Sequence, residues 1–345
     1  MKKRLIAFIL LIAFTLPFLY SCSNEEKQTV ERFNYFDTYS TLTVYCDRQQ
    51  FIFYTTEFDD ILTTYHRLFD IYNSYENTVN LKILNEQASA SPVAVSDELF
   101  DALKLAKELH TLTNGKCNVA LGALTSIWHE ARSKANASPE SAELPSSEQI
   151  SEALLHVDIN DLILNENEKT VYYADSALSL DFGAIAKGYV ASALYTRLVS
   201  LGCDNFLINL GGNIVSYGEK PNGESWLTRI ENPFDSDSLG YNESIKLSNE
   251  TLVTSGSYQR YFIYNGKSYS HIIDVESGYP AESFTSVTIK TKSSDSALAD
   301  ALSTALFCMS FEDGLALVDS LDGVSALWIF NDGSVKASSD FGGAK

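Results

Sequence analysis

Apolar residues recur along this chain in two rhythms. Phe58, Ile61, Leu62, Tyr65 and Leu68 can share one face of a helix spanning 51–68. Leu99, Leu103, Ala106 and Leu109 do the same between Asp97 and Leu112, and Asn114-Gly115 supplies the stop. Between Tyr39 and Cys46, Thr and Ser alternate with apolar residues, the period of a half-buried strand. Residues 133–147 are rich in Ser, Ala and Pro and read as an exposed loop within one domain, because patterned segments resume on both sides.

From Leu162 onward strands dominate. A hairpin is expected from Leu162–Leu164 and Thr170–Tyr173 around Asn165-Glu166-Asn167, then a strand over Ala177–Phe182 and a helix over Ala184–Leu201 closed by Gly202. The apolar run Phe206–Tyr217 is broken by Gly211-Gly212. Strands follow around 226–230, 261–264 and 286–290, then a helix over about 296–309, a short helix and a hairpin around Asn331-Asp332-Gly333. No internal repeat is visible, and the mixture implies an α+β fold.

The amino terminus carries a different signal. Lys2, Lys3 and Arg4 precede an apolar run from Leu5 to Tyr20, which is short for a membrane-spanning helix, and Ser21-Cys22 and a polar stretch follow. This order reads as an export signal over residues 1–21. Leu19-Tyr20-Ser21-Cys22 resembles a lipobox, in which Cys22 becomes the lipidated first residue; secretion without a lipid and an uncleaved anchor are the alternatives. Lipidation implies a chain tethered to the extracytoplasmic face of a cell membrane or envelope. Residues 22–30 are expected to be a polar tether, and 31–345 the folded body.

Composition narrows the function. With 45% hydrophobic and 20% charged residues the chain is globular, and a net charge of -20 argues against nucleic acid as a partner, since no basic face is apparent. Loss of the three basic leader residues makes the remainder more acidic still. Cys46, Cys117, Cys203 and Cys308 show no metal-ligand spacing, and buried thiols are expected.

Four constellations can carry chemistry. In Asp181-Phe182-Gly183-Ala184-Ile185-Ala186-Lys187-Gly188 a turn leads into a helix whose N–H groups attract anions. Lys187 in its first turn is electrostatically disfavoured unless an anion is bound there; a tight turn with a solvated lysine is the plain alternative. Asp300 and Thr304, four residues apart, offer a carboxylate and a hydroxyl to a hard cation, although an ordinary Asp near a helix start has the same sequence. His271, after Ser270, can act as a general base or can be a structural histidine. The glycines of Asn209-Leu210-Gly211-Gly212-Asn213 allow either close ligand approach or a bulge.

Together and in this order, these segments resemble the FAD:protein FMN transferase family (ApbE type). The resemblance begins at Phe36-Asp37-Thr38-Tyr39, continues through Leu84-Asn85 and 113–124, and is strongest over 181–188, 209–213, 254–260, 271–278 and 299–306. Phe36-Asp37 stands where that family often has Met-Gly, Ser257 where it usually has Asp, and Val275 where Pro commonly follows His-Ile-Ile-Asp.

The resemblance implies largely antiparallel sheets flanked by helices, with FAD in a cleft. It implies that the Ala184 carbonyl, the Asp300 carboxylate and the Thr304 hydroxyl hold magnesium against the FAD pyrophosphate. Lys187 and Asp181 would contact FAD, Thr38, Ser255 and Gly256 would line the flavin cleft with Ile272 nearby, and His271 would activate a threonine or serine hydroxyl of a partner flavoprotein. FMN would pass to that hydroxyl and AMP would leave. A magnesium-dependent FAD pyrophosphatase, a non-catalytic flavin-binding lipoprotein and a solute-binding lipoprotein with two similar lobes remain the competing readings.

Overall fold

The computed structural model describes residues 26–234, 241 and 243–341. The export signal and Cys22 lie outside the described residues. Among the described residues no helix is long and apolar enough to cross a membrane.

The chain opens with β1 (Glu26–Tyr35) and β2 (Thr38–Cys46), an antiparallel hairpin. Residues 26–30, expected as tether, are therefore the first half of a strand. Their polarity hid it: β1 is the edge of the sheet, where charged side chains protect unpaired backbone. Asp47 caps α1 (Arg48–Leu68) with a reciprocal Gln50 bond, and Phe58 and Leu62 are fully buried. Then come α2 (Leu81–Gln87), the short β3 (Val93–Ala94) and α3 (Asp97–Leu112), capped by Ser96.

Helix α4 (Gly122–Ala137) runs into the segment expected to be an exposed loop. Ala131 and Ala135, one turn apart, bury against a second core, so tertiary packing and alanine propensity outweigh the serine and lysine around them. Irregular chain begins only at Ser138-Pro139, before α5 (Ser147–Ala153).

The expected hairpin forms as β4 (Leu162–Asn165) and β5 (Thr170–Tyr173). Residues 177–182, expected as a strand, pair with none. Their polar backbone groups are instead taken up locally: the Asn85 side chain bonds both N–H and C=O of Leu180, and Asp181 N–H donates to Val119 O. Helix α6 (Ala186–Ser200) ends at Gly202, φ +77°, as expected.

Next are β6 (Phe206–Leu210), β7 (Asn213–Tyr217), β8 (Trp226–Arg229), β9 (Ser244–Leu247), β10 (Glu250–Gly256), β11 (Tyr261–Tyr264), β12 (Lys267–Ser270) and β13 (Phe284–Lys292). Helices α7 (Ser296–Phe307) and α8 (Phe311–Asp319) precede the closing hairpin of β14 (Ser325–Phe330) and β15 (Val335–Ala337).

The main sheet has eight strands in the order β1-β2-β6-β7-β10-β13-β14-β15, every pairing antiparallel. The α+β expectation, with largely antiparallel sheets flanked by helices, holds. Helices α1, α6 and α7 cover one face around Leu42, Val44, Ile208 and Val215; Trp226, Ile245 and Leu247 cover the other. A separate core joins α4 and α5 to the β11–β12 ribbon through Trp128, Phe262 and Ile273. Cys46, Cys117 and Cys203 are buried and Cys308 half-buried, with no disulfide between them. Burial pushes the Cys203 and Cys308 thiols up to about 12.

Candidate active site

A cleft of about 1040 Å³ opens between the end of the main sheet and the α4–ribbon unit. That is at the upper end of the volumes usual for small-molecule sites. Every predicted ligand or base of the folded body lines it: Thr38, Asp181, Ala184, Lys187, Ser255, Gly256, His271, Ile272, Asp300 and Thr304.

Close helix packing builds its floor. Gly188 of α6 lies against α7, where a Cβ would sit 2.4 Å from Ser296 O and 2.5 Å from Asp300 Cβ. This approach lets Gly188 N–H donate to Asp300 Oδ2 at 2.8 Å. Asp300 Oδ1 lies 3.8 Å from Lys187 Nζ. Asp300 is only 3% exposed, so an anionic carboxylate there needs compensating charge or hydrogen bonds. Thr304 follows one turn later on α7, and Ala184 lies just before α6.

No group of three or more His, Cys, Asp or Glu side chains close enough to share a metal exists among the described residues. The donor set is instead one carboxylate with neutral oxygens. That chemistry fits magnesium, which takes few protein carboxylates and completes its shell with substrate phosphates and water.

Asp181 is already engaged. Its Oδ1 accepts Gly183 N–H at 2.8 Å and its Oδ2 accepts Thr125 Oγ1–H at 2.9 Å, so it holds the turn that leads into α6. Ser255 Oγ meets Ser303 Oγ at 2.7 Å, tying β10 to α7. Thr38 packs on the β6–β7 turn, where a Cβ at Gly211 would lie 2.0 Å from Thr38 Oγ1. Gly211 also has φ +57°, so glycine is required twice over. Ile272 is 5% exposed and packs into the core beneath the cleft.

His271 follows β12 and is half-buried. Its Nδ1–H donates to the Arg260 carbonyl oxygen at 3.2 Å, because a carbonyl can only accept, and the Nε2 lone pair is left available. Burial, with Arg260, Lys187 and Arg132 nearby, pushes its pKa down to about 4. The imidazole is therefore neutral at pH 7 and able to take a proton. Burial and neighbouring Arg260 likewise hold the Arg132 pKa below its ordinary value.

Sequence reasoning missed this group of cations. Arg132, Arg260 and Lys116 also line the cleft, in a chain of net charge -20. Arg132 lies in the stretch adjoining the supposed loop and Lys116 near a helix stop, and neither position has a local signal. Only the fold brings them to the same cleft. Lys116 itself is held by Asp274 and Glu276, each at 3.0 Å.

Fold and site thus define an α+β protein whose cation-lined cleft pairs a neutral histidine with a buried carboxylate at a helix start. A family model described as the ApbE family matches residues 36–328. An FAD:protein FMN transferase from Treponema pallidum (strain Nichols) is 34% identical over 275 residues, covering 75% of this chain and 72% of its own. One from Klebsiella pneumoniae (strain 342) is 31% identical, with 79% and 84% covered. The crystal structure of the ApbE protein of Thermotoga maritima matches with a TM-score of 0.80 at 26% identity, over 92% of this chain and 98% of that one. The flavin transferase ApbE of Vibrio cholerae matches at 0.75 and 27%, over 92% and 99%. The chain belongs to the ApbE family.

Proposed function

We propose that this chain transfers the FMN half of FAD to a threonine or serine hydroxyl of a partner flavoprotein, with magnesium, and releases AMP. One observation carries the reading. The neutral His271, with a free Nε2, shares a cleft with Lys187, Arg132 and Arg260 and with the oxygen set Ala184, Asp300 and Thr304. A binder of neutral solutes needs neither the base nor the cations.

In this reading Lys187, at the start of α6, and the arginines hold the dinucleotide pyrophosphate, aided by the helix N–H groups. His271 Nε2 takes the proton of the acceptor hydroxyl as its oxygen bonds the FMN-side phosphorus. The bridging P–O bond breaks, and its electron pair leaves with AMP. Ala184 O, Asp300 and Thr304 would hold magnesium, which would supply charge neutralisation to the pyrophosphate. The remaining work is positioning, as phosphoryl-type transfers require. The relatives' printed names support FAD as donor and a protein as acceptor.

The same reading places the chain at the extracytoplasmic face of a membrane through a lipid on Cys22, supported by the leader pattern. The test incubates residues 23–345 with FAD, magnesium and an acceptor flavoprotein, followed by a denaturing gel. Flavin fluorescence on the acceptor band, lost with a chelator, is expected. FMN and AMP released with no fluorescent band would replace the transferase by a pyrophosphatase.

A further inference from the structure

The ribbon that carries the base leaves the outer edge of β11 without a partner strand among the described residues. His271 N–H donates to Arg260 O at 3.0 Å, so residues 260 and 271 form a hydrogen-bonded pair. Given the register Tyr261↔Ser270 through Tyr264↔Lys267, the alternation of an antiparallel ladder makes Phe262 and Tyr264 the next bonded positions. The N–H and C=O groups of Tyr261 and Ile263 then point away from β12. Among the described residues no strand pairs with that side of β11.

On the other strand the end nearest the base is covered, while Ser268 near the turn is exposed. Ser270 is 6% exposed, and the chain beyond it is covered by residues 279–281: Ala281 N–H donates to Ile272 O and Asp274 N–H to Tyr279 O, both at 2.9 Å. The ribbon itself is tightly turned and packed on one face. Asn265-Gly266, both at positive φ, makes a tight turn, and Phe262 and Tyr269 stack at 5.5 Å on the side packed against Trp128. On the opposite face Tyr261 and Ile263 stand 43% and 58% exposed.

We infer that the open edge of β11 docks the acceptor polypeptide as an added strand, through the outward backbone groups of Tyr261 and Ile263 and the apolar side chains beside them. This rests on the transferase reading, which requires a polypeptide hydroxyl at His271. The edge lies beside that base: Tyr261 pairs with Ser270, the residue just before His271. A strand added there is held by main-chain bonds that tolerate many sequences, while Tyr261 and Ile263 select the side chains above them. Free FAD needs none of these groups, since neither residue lines the cleft.

The experiment uses the folded body with saturating FAD and magnesium, and an unflavinylated flavoprotein that the wild type labels. Ile263→Pro deletes an outward N–H while Phe262 and Tyr264 keep their ladder bonds; Tyr261→Asp puts a charge on the apolar face. Both should raise KM for the acceptor about tenfold, with kcat at saturating acceptor and FAD affinity by fluorescence titration unchanged. An acceptor KM within twofold of wild type in both variants overturns the docking edge alone. If wild type labels no flavoprotein yet binds FAD, the transferase reading fails, and the docking edge with it.

Discussion

The His271 ring donates from Nδ1 to the main-chain oxygen of Arg260, 3.2 Å away, and the guanidinium of that same arginine helps keep the ring neutral. One residue thus fixes the tautomer of the imidazole through its backbone and lowers its pKa through its side chain. The backbone bond alone favours the protonated ring, so burial and the surrounding cations outweigh it.

This sets the pH behaviour. The free enzyme's kcat/KM should lose activity on the acid side near pH 4, well below the ordinary histidine value of 6.5. Arg260→Met should move that limb upward, because it removes a cation and keeps the carbonyl. A limb that stays put in the variant would remove Arg260 as a contributor beside burial. Folding stability follows the same depression. The unfolded chain takes up this proton between pH 6.5 and about 4 while the folded chain does not, so this histidine's contribution lowers stability as pH falls through that window. His271→Asn should flatten that part of the curve in urea titrations.

Asp300→Ala should abolish flavin transfer at low magnesium. The variant should stay folded, losing about 1–2 kcal/mol because Gly188 N–H loses its acceptor. Titration of magnesium into the FAD-loaded protein by calorimetry checks the cause. Unchanged magnesium affinity in the variant would remove Asp300 from the metal set.

Much of this arrangement was legible beforehand where local rules dominate. Helices 51–68 and 97–112 announced themselves because their apolar faces repeat with helical period and an Asn-Gly stop follows the second. Asp300 and Thr304 were found together because four residues make one helical turn. What escaped is what packing decides. Residues 177–182 have the composition of a strand, yet an asparagine from α2 and the chain at Val119 take their backbone bonds. Strand β1 is too polar to be seen until its pairing with β2 is known. Arg132 and Lys116 join the cleft through contacts far apart in sequence.

Gly188→Ala should damage both fold and function. The added Cβ meets a backbone carbonyl and the Cβ of Asp300, neither of which can swing aside as a flexible side-chain end would. Helices α6 and α7 would have to separate, at a cost of about 1–3 kcal/mol. Separation also moves Lys187 from Asp300, so transfer should fall further than stability does. A variant with an unshifted urea midpoint would show that the helices are not held at this distance.

Asp37→Gly should stabilise the protein. Phe36 and Asp37 form the two-residue turn between β1 and β2, both left-handed at φ 54° and 51°. Such a turn suits Asn-Gly, and a phenylalanine there is strained. The turn is clamped from both sides: Phe36 N–H donates to His66 Nδ1 at 3.3 Å, and Arg260 Nη2 reaches Asp37 O at 3.4 Å. Glycine keeps that carbonyl and removes the steric cost at 37, so a gain of about 1 kcal/mol is expected in denaturant midpoints. Phe36→Gly should not gain likewise, because the edge-on contact of its ring with His66, at 5.5 Å, is lost. No gain in Asp37→Gly would mean the turn costs nothing. A gain with weaker FAD binding would mean the strained turn holds the cleft wall in its ligand-binding shape, since Phe36, Asp37 and Thr38 all face the cleft.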